Sequence, residues 1–328
     1  MRIGLIVTGG TLDSVGSSDG LTVDRDGGLT EFVKSALHPH QTLDVVESPW
    51  RIDSSQLKTA QILELARLIL ASPSKDAWII AAGTDTLAWL APALWLLLGA
   101  APFPILLVSG MRPWWAHQSD GAQNLRDCLA RLDSGCPNGV RVATAGRLLV
   151  PYHLRKISHR VDDPFRNLPV QECAPRTLGT QFDAIDSSLP NLPYLTPPHF
   201  ANLQAIRAPS VLWLPVHPGL EPQTILPLLN DACVRQLVLS GYSGGTLPRW
   251  LQDLRPAHTR VHLTTQQWGP LSLKEYAASS SLPADHWKVW SLCPETVTSL
   301  LALGDVMGMD GEELTSGLDT LEASLFPA

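Results

Sequence analysis

Residues 7–14 are Val7-Thr8-Gly9-Gly10-Thr11-Leu12-Asp13-Ser14, and they follow an apolar run, Ile3 to Val7, that predicts a buried first strand. Two glycines allow the backbone to turn sharply and to approach a ligand closely. The hydroxyls of Thr8 and Thr11 then lie at the carboxyl end of the strand, where open α/β sheets bind ligands. Thr11 is therefore a candidate nucleophile. Taken alone, the stretch is explained more simply as a Gly-Gly turn whose threonines bond only their own backbone.

Strand-like apolar runs alternate with helical patterns after this turn, which is typical of a parallel sheet with helices on both faces. In the first half, strands are predicted at 43–46, 77–82, 105–108 and 141–145, and helices after Asp53, at 88–98 and at 119–132. Further along, strands are predicted at 211–216, 237–240 and 261–264, and helices at 223–229, 248–254, 294–303 and 311–325.

The length of the chain predicts two domains. Its 328 residues, of which 45% are hydrophobic, exceed what a single core usually serves. We predict a larger, doubly wound, mostly parallel α/β domain over residues 1–188 and a smaller α/β domain over 206–328. The linker between them, 189–205, contains Pro193, Pro197 and Pro198 and few regular apolar repeats.

Charge and cysteine content exclude several classes of partner. The net charge is −7 and no run of Lys or Arg occurs, so neither a nucleic acid nor a membrane surface is an expected partner. Five cysteines without a CxxC pair argue against a disulfide framework and a thiolate metal site. We expect a small-molecule substrate, no metal, no cofactor and a cytoplasmic setting, because no signal-peptide pattern precedes the first strand.

The uncharged stretch from Thr86 to Met111 is long enough to cross a membrane. Prolines interrupt it, and its halves separate into a buried helix, Ala88 to Leu98, and a buried strand, Ile105 to Val108. We therefore predict no membrane span.

Polar residues follow several strands at the point where each ends. Asp53-Ser54-Ser55 suits the N-terminus of a helix, where it caps the helix or holds a ligand carboxylate. Thr84 and Asp85 follow the strand at 77–82, where Asp85 caps the next helix or binds an ammonium group. Residues 13–28 are rich in Gly, Ser and Asp and predict a mobile surface loop that could serve as a lid.

Lys156 follows Arg155 in an otherwise neutral region. It is either a lysine on a surface hairpin or an amine whose pKa is lowered by burial or by nearby positive charge, and which then acts as a base for a threonine hydroxyl.

The order of these motifs resembles that of the bacterial-type L-asparaginase family, and Asp53-Ser54-Ser55 in place of the Ser-Gln-Asp run of exported members, with no signal-peptide pattern, resembles its cytoplasmic type. The resemblance is carried by Thr8-Gly9-Gly10-Thr11, Gly83-Thr84-Asp85-Thr86 and Ser119-Asp120-Gly121-Ala122-Gln123-Asn124-Leu125, and more loosely by Tyr242-Ser243-Gly244-Gly245 and Pro294-Glu295-Thr296.

This resemblance implies hydrolysis of L-asparagine to L-aspartate and ammonia through a threonine nucleophile and an acyl-enzyme, without a cofactor. It implies a homodimer or a homotetramer built as a dimer of dimers, in which the neighbour's C-terminal domain closes the site. The implied catalytic residues are Thr11, Thr84, Asp85 and Lys156, and the implied substrate-binding residues are Gly10, Asp53, Ser54, Ser55, Thr84 and Asp85.

The sequence departs from the family pattern at three positions. Leu21 stands where the family usually carries a tyrosine that hydrogen-bonds to the nucleophile, Arg155 stands where threonine is common, and Thr246 where asparagine is frequent. These departures leave open a weakly active or inactive member that binds a small amino acid, and an amidase for a different small amide. The asparaginase-like subunit of a tRNA-dependent amidotransferase is disfavoured by the acidic charge and by the absence of the extra N-terminal domain usual in such chains.

Overall fold

The computed structural model describes residues 1–18, 20–24, 26–72, 74–99, 101–160, 162–167, 208–230, 233–266, 271, 282, 287–309 and 311–325. The described residues fall into two compact units, Met1–Asn167 and the part from Ala208 onward. The predicted linker, 189–205, lies outside the described residues, so the domain boundaries stay a prediction.

The first unit is built on a six-stranded sheet with the strand order β4-β1-β5-β6-β7-β8. Neighbouring strands are parallel except for β7 and β8. Its strands in this sheet are β1 Arg2–Val7, β4 Thr42–Val45, β5 Ala77–Ala81, β6 Pro104–Val108, β7 Gly139–Thr144 and β8 Arg147–Leu149. Its helices are α1 Gly28–Ser35, α2 Thr59–Leu70, α3 Leu87–Leu98 and α4 Asp120–Ser134.

Helices cover both faces of this sheet, as predicted for a doubly wound fold. On one face, Leu5 of β1 and Ile79 of β5 belong to a buried cluster with Leu29 of α1 and Leu125 of α4. The other face carries α3, which packs on β7 and on α2. Strand residues alternate between the two faces, so both sets are apolar and every residue of β5 is buried.

The first unit also contains two short hairpins, of which the sequence predicted only one, as an alternative for Lys156. One, β2 Ser14–Ser17 with β3 Gly20–Val23, replaces the first part of the expected loop at 13–28. The other pairs β9 Leu154–Lys156 with β10 Phe165–Asn167, so Lys156 lies on a hairpin strand.

The helix expected after Asp53 begins later than predicted. Asp53 caps only a single 3-10 turn, Ser54–Gln56, and α2 starts at Thr59. Leu57 between them is extended, with φ −63° and ψ 131°, so the chain leaves the helical region before α2 begins. Asp53-Ser54-Ser55 is therefore not at the N-terminus of a long helix, and the expectation that such a helix N-terminus holds a ligand carboxylate there is wrong.

The second unit has a parallel four-stranded sheet with the strand order β11-β12-β13-β14. Its elements are β11 Val211–Pro215, α5 Pro222–Leu229, β12 Gln236–Gly241, α6 Arg249–Gln252, β13 Arg260–Thr265, β14 Trp287–Val289, α7 Pro294–Met307 and α8 Gly311–Leu325. The predicted alternation of strands and helices is thus confirmed, and β14 is an addition to it. Together the two units confirm the predicted α/β fold class.

The apolar stretch from Thr86 to Met111 divides as predicted into a helix, α3, and a buried strand, β6. Of the helices in the described residues, none has the length and apolar character needed to cross a membrane.

Candidate functional site

Residues 8–13, here called the threonine turn, leave the carboxyl end of β1. The Thr8 hydroxyl donates a hydrogen bond to the Ala81 carbonyl oxygen at 3.0 Å, so Thr8 anchors the turn to β5 rather than serving chemistry. Thr11 opens a 3-10 turn and is partly exposed. Among the described residues, no group hydrogen-bonds to the Thr11 hydroxyl. A hydroxyl that is accessible and uncommitted is suited to attack a ligand.

Glycine is required in the threonine turn because other backbone lies against it. Gly10 has a φ of 80°, and a Cβ atom there would lie 2.2 Å from the Cα atom of Gly83. Its N–H donates to the Ile52 carbonyl oxygen at 3.0 Å. Its carbonyl oxygen accepts from the Asp13 N–H at 3.0 Å and from the Ser14 hydroxyl at 2.8 Å. Because both polar groups of Gly10 are satisfied within the protein, the evident contribution of Gly10 is close backbone approach.

The contact of Gly10 with Gly83 brings the ends of β1 and β5 together. Thr84 directly follows Gly83 and is 4% exposed, whereas Asp85 beside it is exposed. Lys156 Nζ donates hydrogen bonds to Thr84 Oγ1 at 2.8 Å and to Asp85 Oδ1 at 2.7 Å. These three residues, here called the lysine network, are thus assembled next to the threonine turn.

The surroundings of Lys156 differ from one of the sequence hypotheses. The charge nearest its amine is the Asp85 carboxylate, a negative group, and not the positive neighbour that was considered. Lys156 is also a surface-hairpin lysine, but its side chain is only 17% exposed because it turns toward the network.

Residues 52–55, here called the serine segment, extend beside the threonine turn. Ile52 donates its N–H to the Thr8 carbonyl oxygen at 3.0 Å. A Cβ atom on Gly83 would lie 2.4 Å from both Cβ and Oγ of Ser54, so Ser54 packs directly on that glycine. Asp53 Oδ1 accepts the Ser55 N–H at 2.8 Å, which is the capping alternative considered for this residue. Ser54 is therefore brought to the site, and Asp53 holds the shape of the segment.

Hydrogen bonds from the start of α4 connect the residues that follow β6 and β7. Ser119 accepts the Ala122 N–H at 3.0 Å, as expected for the capping residue. Asn124 donates to the Ser109 carbonyl oxygen, which follows β6, at 2.9 Å and accepts the Ala145 N–H, which follows β7, at 2.8 Å. Ser119 and Asn124 thus hold this part of the sheet edge together.

Sequence reasoning missed an ion pair beside the threonine turn. Arg51 donates from Nε to Asp13 Oδ2 and from Nη2 to Asp13 Oδ1, both at 2.6 Å. Asp13 is fully buried, and this burial raises its pKa, while the hydrogen bond and the charge of Arg51 oppose the rise. Asp13 belongs to the stretch 7–14, but Arg51 lies 38 positions away outside any motif, so the sequence carried no signal for the pair.

The hairpin formed by β2 and β3 continues directly from the threonine turn. Leu21 lies opposite Gly16 in it and is 54% exposed. The indole N–H of Trp115 donates to the Ser14 carbonyl oxygen at 2.7 Å and fixes the base of the hairpin. Whether the hairpin is mobile stays a prediction.

Comparison with known proteins gives a consistent result. The model of the family described as "Asparaginase, N-terminal" matches residues 2–183, more than half of the chain. The L-asparaginase of Thermococcus kodakarensis is 24% identical over 253 residues, which is 76% of this chain and 73% of that protein. Its solved structure superposes with a TM-score of 0.75 at 18% identity over 97% of each chain.

Two other solved structures are similar in fold. L-asparaginase I from Vibrio cholerae has a TM-score of 0.74 at 20% identity, over 97% of this chain and 96% of that one. The probable cytoplasmic L-asparaginase of Campylobacter jejuni has a TM-score of 0.70 at 19% identity, over 98% and 99%.

Proposed function

Because the chain belongs to the asparaginase family, we propose that it hydrolyses L-asparagine to L-aspartate and ammonia with Thr11 as the nucleophile. The observation that carries this proposal is the lysine network: Lys156 Nζ lies 2.8 Å from Thr84 Oγ1 and 2.7 Å from Asp85 Oδ1, beside the threonine turn. An amide hydrolase of this kind needs a hydroxyl nucleophile and a second group that moves its proton. The Thr11 and Thr84 hydroxyls follow the carboxyl ends of adjacent parallel strands, β1 and β5, and Lys156 reaches Thr84 from β9.

The reaction proceeds in two steps. The Thr11 oxygen attacks the side-chain amide carbon of the substrate, the C–N bond breaks, and ammonia leaves with the proton of the hydroxyl. Water then attacks the resulting ester, releases L-aspartate and returns a proton to the Thr11 oxygen. In both steps the lysine network takes up the proton of the attacking hydroxyl or water and passes it to the leaving group.

The charges at the site match a zwitterionic amino acid. Asp85 is exposed and one of its oxygens bonds to Lys156, which leaves its second oxygen for the α-ammonium group of the substrate. The Ser54 hydroxyl is the donor that we assign to the α-carboxylate, since Ser54 packs against Gly83. Ser55, Asp53 and Gly10 stay proposed substrate-binding residues, Asp53 by holding the shape of the serine segment and Gly10 by close backbone approach.

The location and assembly of the protein are also proposals. We propose a cytoplasmic enzyme, in keeping with the Campylobacter jejuni structure that is described as a probable cytoplasmic L-asparaginase. We propose a homodimer or a dimer of dimers, and light scattering coupled to size-exclusion chromatography distinguishes these from a monomer.

The test is ammonia release by the purified protein with L-asparagine and with L-glutamine. Thr11→Ala removes the nucleophile and should abolish turnover, whereas Lys156→Met breaks the lysine network and should lower kcat by about 100-fold or more, the scale of a lost acid–base group. Circular dichroism confirms that both variants are folded. Full activity of Thr11→Ala would refute the threonine mechanism.

One observation favours the second candidate, a family member that binds an amino acid with little turnover. Leu21 cannot hydrogen-bond to Thr11, and none of the described residues does so. Binding of L-aspartate, measured by calorimetry, without ammonia release from either amide would support this candidate over the first.

A further inference from the structure

The Asp13–Arg51 ion pair joins two segments that the proposed reaction must hold in register. Asp13 belongs to the threonine turn, two residues beyond Thr11, and Arg51 directly precedes the serine segment. Two parallel hydrogen bonds of 2.6 Å fix both the distance and the relative orientation of the two side chains.

We propose that Asp13 and Arg51 are positioning residues for the proposed asparagine hydrolysis. Their ion pair holds the threonine turn against the serine segment, so that the nucleophile meets the carbon of a substrate whose carboxylate the serine segment binds. This inference rests on the proposed function.

The backbone around the pair supports this role. The threonine turn and the serine segment are joined by hydrogen bonds of Gly10 and Thr8 with Ile52, each 3.0 Å long. Those bonds lie before Thr11 in the chain, and the ion pair lies after it. Thr11 is thus held on both sides, while its own hydroxyl stays uncommitted.

The pair also connects the hairpin to the site. The Asp13 carbonyl oxygen accepts the Asp24 N–H at 2.7 Å, so the residue after β3 is bonded to the same turn. Asp24 is itself 3% exposed, and its carboxylate accepts the N–H groups of Asp26 and Gly28. The ion pair therefore lies at the base of the hairpin, next to the residues that precede β2 and follow β3.

Electrostatics explain why removing one partner of the ion pair should disturb the other. Asp13 is buried, Asp24 adds a second negative charge nearby, and both raise the pKa of Asp13. Arg51 provides the opposing charge, and its own pKa is raised by the hydrogen bond with Asp13. Removing Arg51 leaves a buried carboxylate without its partner, so the carboxylate takes up a proton or the turn shifts toward water.

The test compares Arg51→Gln, Asp13→Asn and the double variant with the wild type in ammonia release from L-asparagine. We expect Arg51→Gln to lower kcat more than it raises KM, by about 100-fold if the turn moves by about 1 Å. In this variant Asp13 loses the positive charge that opposes its protonation, so its pKa should rise further. The fall of kcat on the acidic side of the pH profile should therefore occur at higher pH than in the wild type. Arg51→Lys keeps the positive charge but cannot make the two parallel hydrogen bonds, so it should recover part of kcat.

The matched control is Arg235→Gln in the second unit. Arg235 Nη2 lies 3.0 Å from Asp305 Oδ1; the arginine is 35% exposed and the aspartate 3%, close to the exposure of the Arg51–Asp13 pair at 26% and 0%. This control should lose thermal stability but keep kcat and the pH profile. An unchanged kcat in folded Arg51→Gln, or an equal loss in Arg235→Gln, would overturn the proposal.

A second measurement tests the coupling of the two segments without requiring enzyme activity. Hydrogen–deuterium exchange of peptides covering residues 7–17 and 48–58 should become faster in both segments when either Arg51 or Asp13 is changed. Exchange that rises in only one segment would overturn the coupling. If the wild type releases no ammonia, the proposed function fails, and the exchange result still decides whether the pair holds the two segments together.

Discussion

At the scale of single residues, the site depends on small groups as much as on reactive ones. Gly83 has no side chain, and this absence lets the Ser54 side chain and the backbone of Gly10 lie against it. Because Gly83 joins all three parts of the site, a single methyl group there should disturb substrate binding without touching a catalytic group.

We predict that Gly83→Ala lowers kcat/KM for L-asparagine by about 10- to 100-fold, because a shift of about 1 Å in a positioning segment has effects of that size. A Cβ atom would lie 2.4 Å from Ser54 Oγ, which must therefore move. The cost in the free energy of unfolding should be about 1–3 kcal/mol, as for other overpacked sites.

Steady-state ammonia release and urea unfolding measure the two effects. Gly219→Ala is the control, since its Cβ atom would meet only His217 ring atoms at 3.4 Å and 3.5 Å, an ordinary contact. A Gly83→Ala enzyme with wild-type KM would show that Ser54 does not bind the substrate.

At the scale of elements, the hairpin of β2 and β3 carries the clearest departure from the family pattern. Leu21 is 54% exposed and stands where the resemblance implies a tyrosine that bonds to the nucleophile. We predict that Leu21→Tyr raises kcat, by up to about 10-fold, because one net hydrogen bond contributes about 0.5–1.5 kcal/mol. Its exposed position should keep the change in stability within about 0.5 kcal/mol.

Thr22→Tyr is the matched control, because neighbouring strand residues point to opposite faces and Thr22 is also exposed. Equal effects of the two tyrosines, or no gain from Leu21→Tyr, would show that this hairpin does not bring residue 21 to Thr11. Ammonia release under saturating L-asparagine provides the measurement.

The sequence predicted an element correctly where its residue pattern fits only one kind of structure. The prediction failed where the pattern fits two kinds of structure equally well. The apolar runs of β1 and β5 are buried on both faces, so their composition alone identifies them. Asp53-Ser54-Ser55 suits a long helix and a single 3-10 turn equally, and the extended Leu57 decides for the turn. The β9 and β10 strands have three residues each, too few for a periodic signal, so the hairpin carrying Lys156 stayed one of two alternatives and its strand bounds were not predicted.

At the scale of the whole molecule, the convergence of the site was predictable because parallel strands end at the same edge of a sheet. Thr11 and Thr84 follow β1 and β5, which are neighbours, and their proximity follows from that order. The Asp13–Arg51 ion pair was not predictable, because its geometry depends on how two loops pack after the sheet has formed. Sequence therefore located the candidate reacting groups, while structure was needed to identify what holds them.

The stability of the whole chain should depend on pH through two buried histidines, one in each unit. His262 accepts from the Trp290 indole N–H at 3.0 Å, and its Nε2 lies 2.8 Å from Gln236 Oε1, which fixes a neutral ring. Burial, with smaller effects of Arg260 and Lys288, lowers its pKa to about 3. Burial also lowers the pKa of His153 to about 4.

The sign of the effect follows from proton binding. Below pH ~6.5 the unfolded chain protonates both histidines while the folded chain does not, so acid favours unfolding. Each histidine thus contributes stability that is complete above pH ~6.5 and is lost as the pH falls toward its folded pKa, by about 2 kcal/mol at pH 5. We predict that the free energy of unfolding in urea falls between pH 7.5 and pH 5.

His262→Gln should lower stability at pH 7.5, because a buried hydrogen-bonded ring is lost, but should fall less steeply toward pH 5 than the wild type. The exposed His258→Gln serves as the control and should keep the wild-type slope. If the free energy of unfolding of His262→Gln falls toward pH 5 as steeply as that of the wild type, His262 is not the group whose protonation accompanies unfolding. Its buried, neutral state would then not be the cause of the loss of stability in acid.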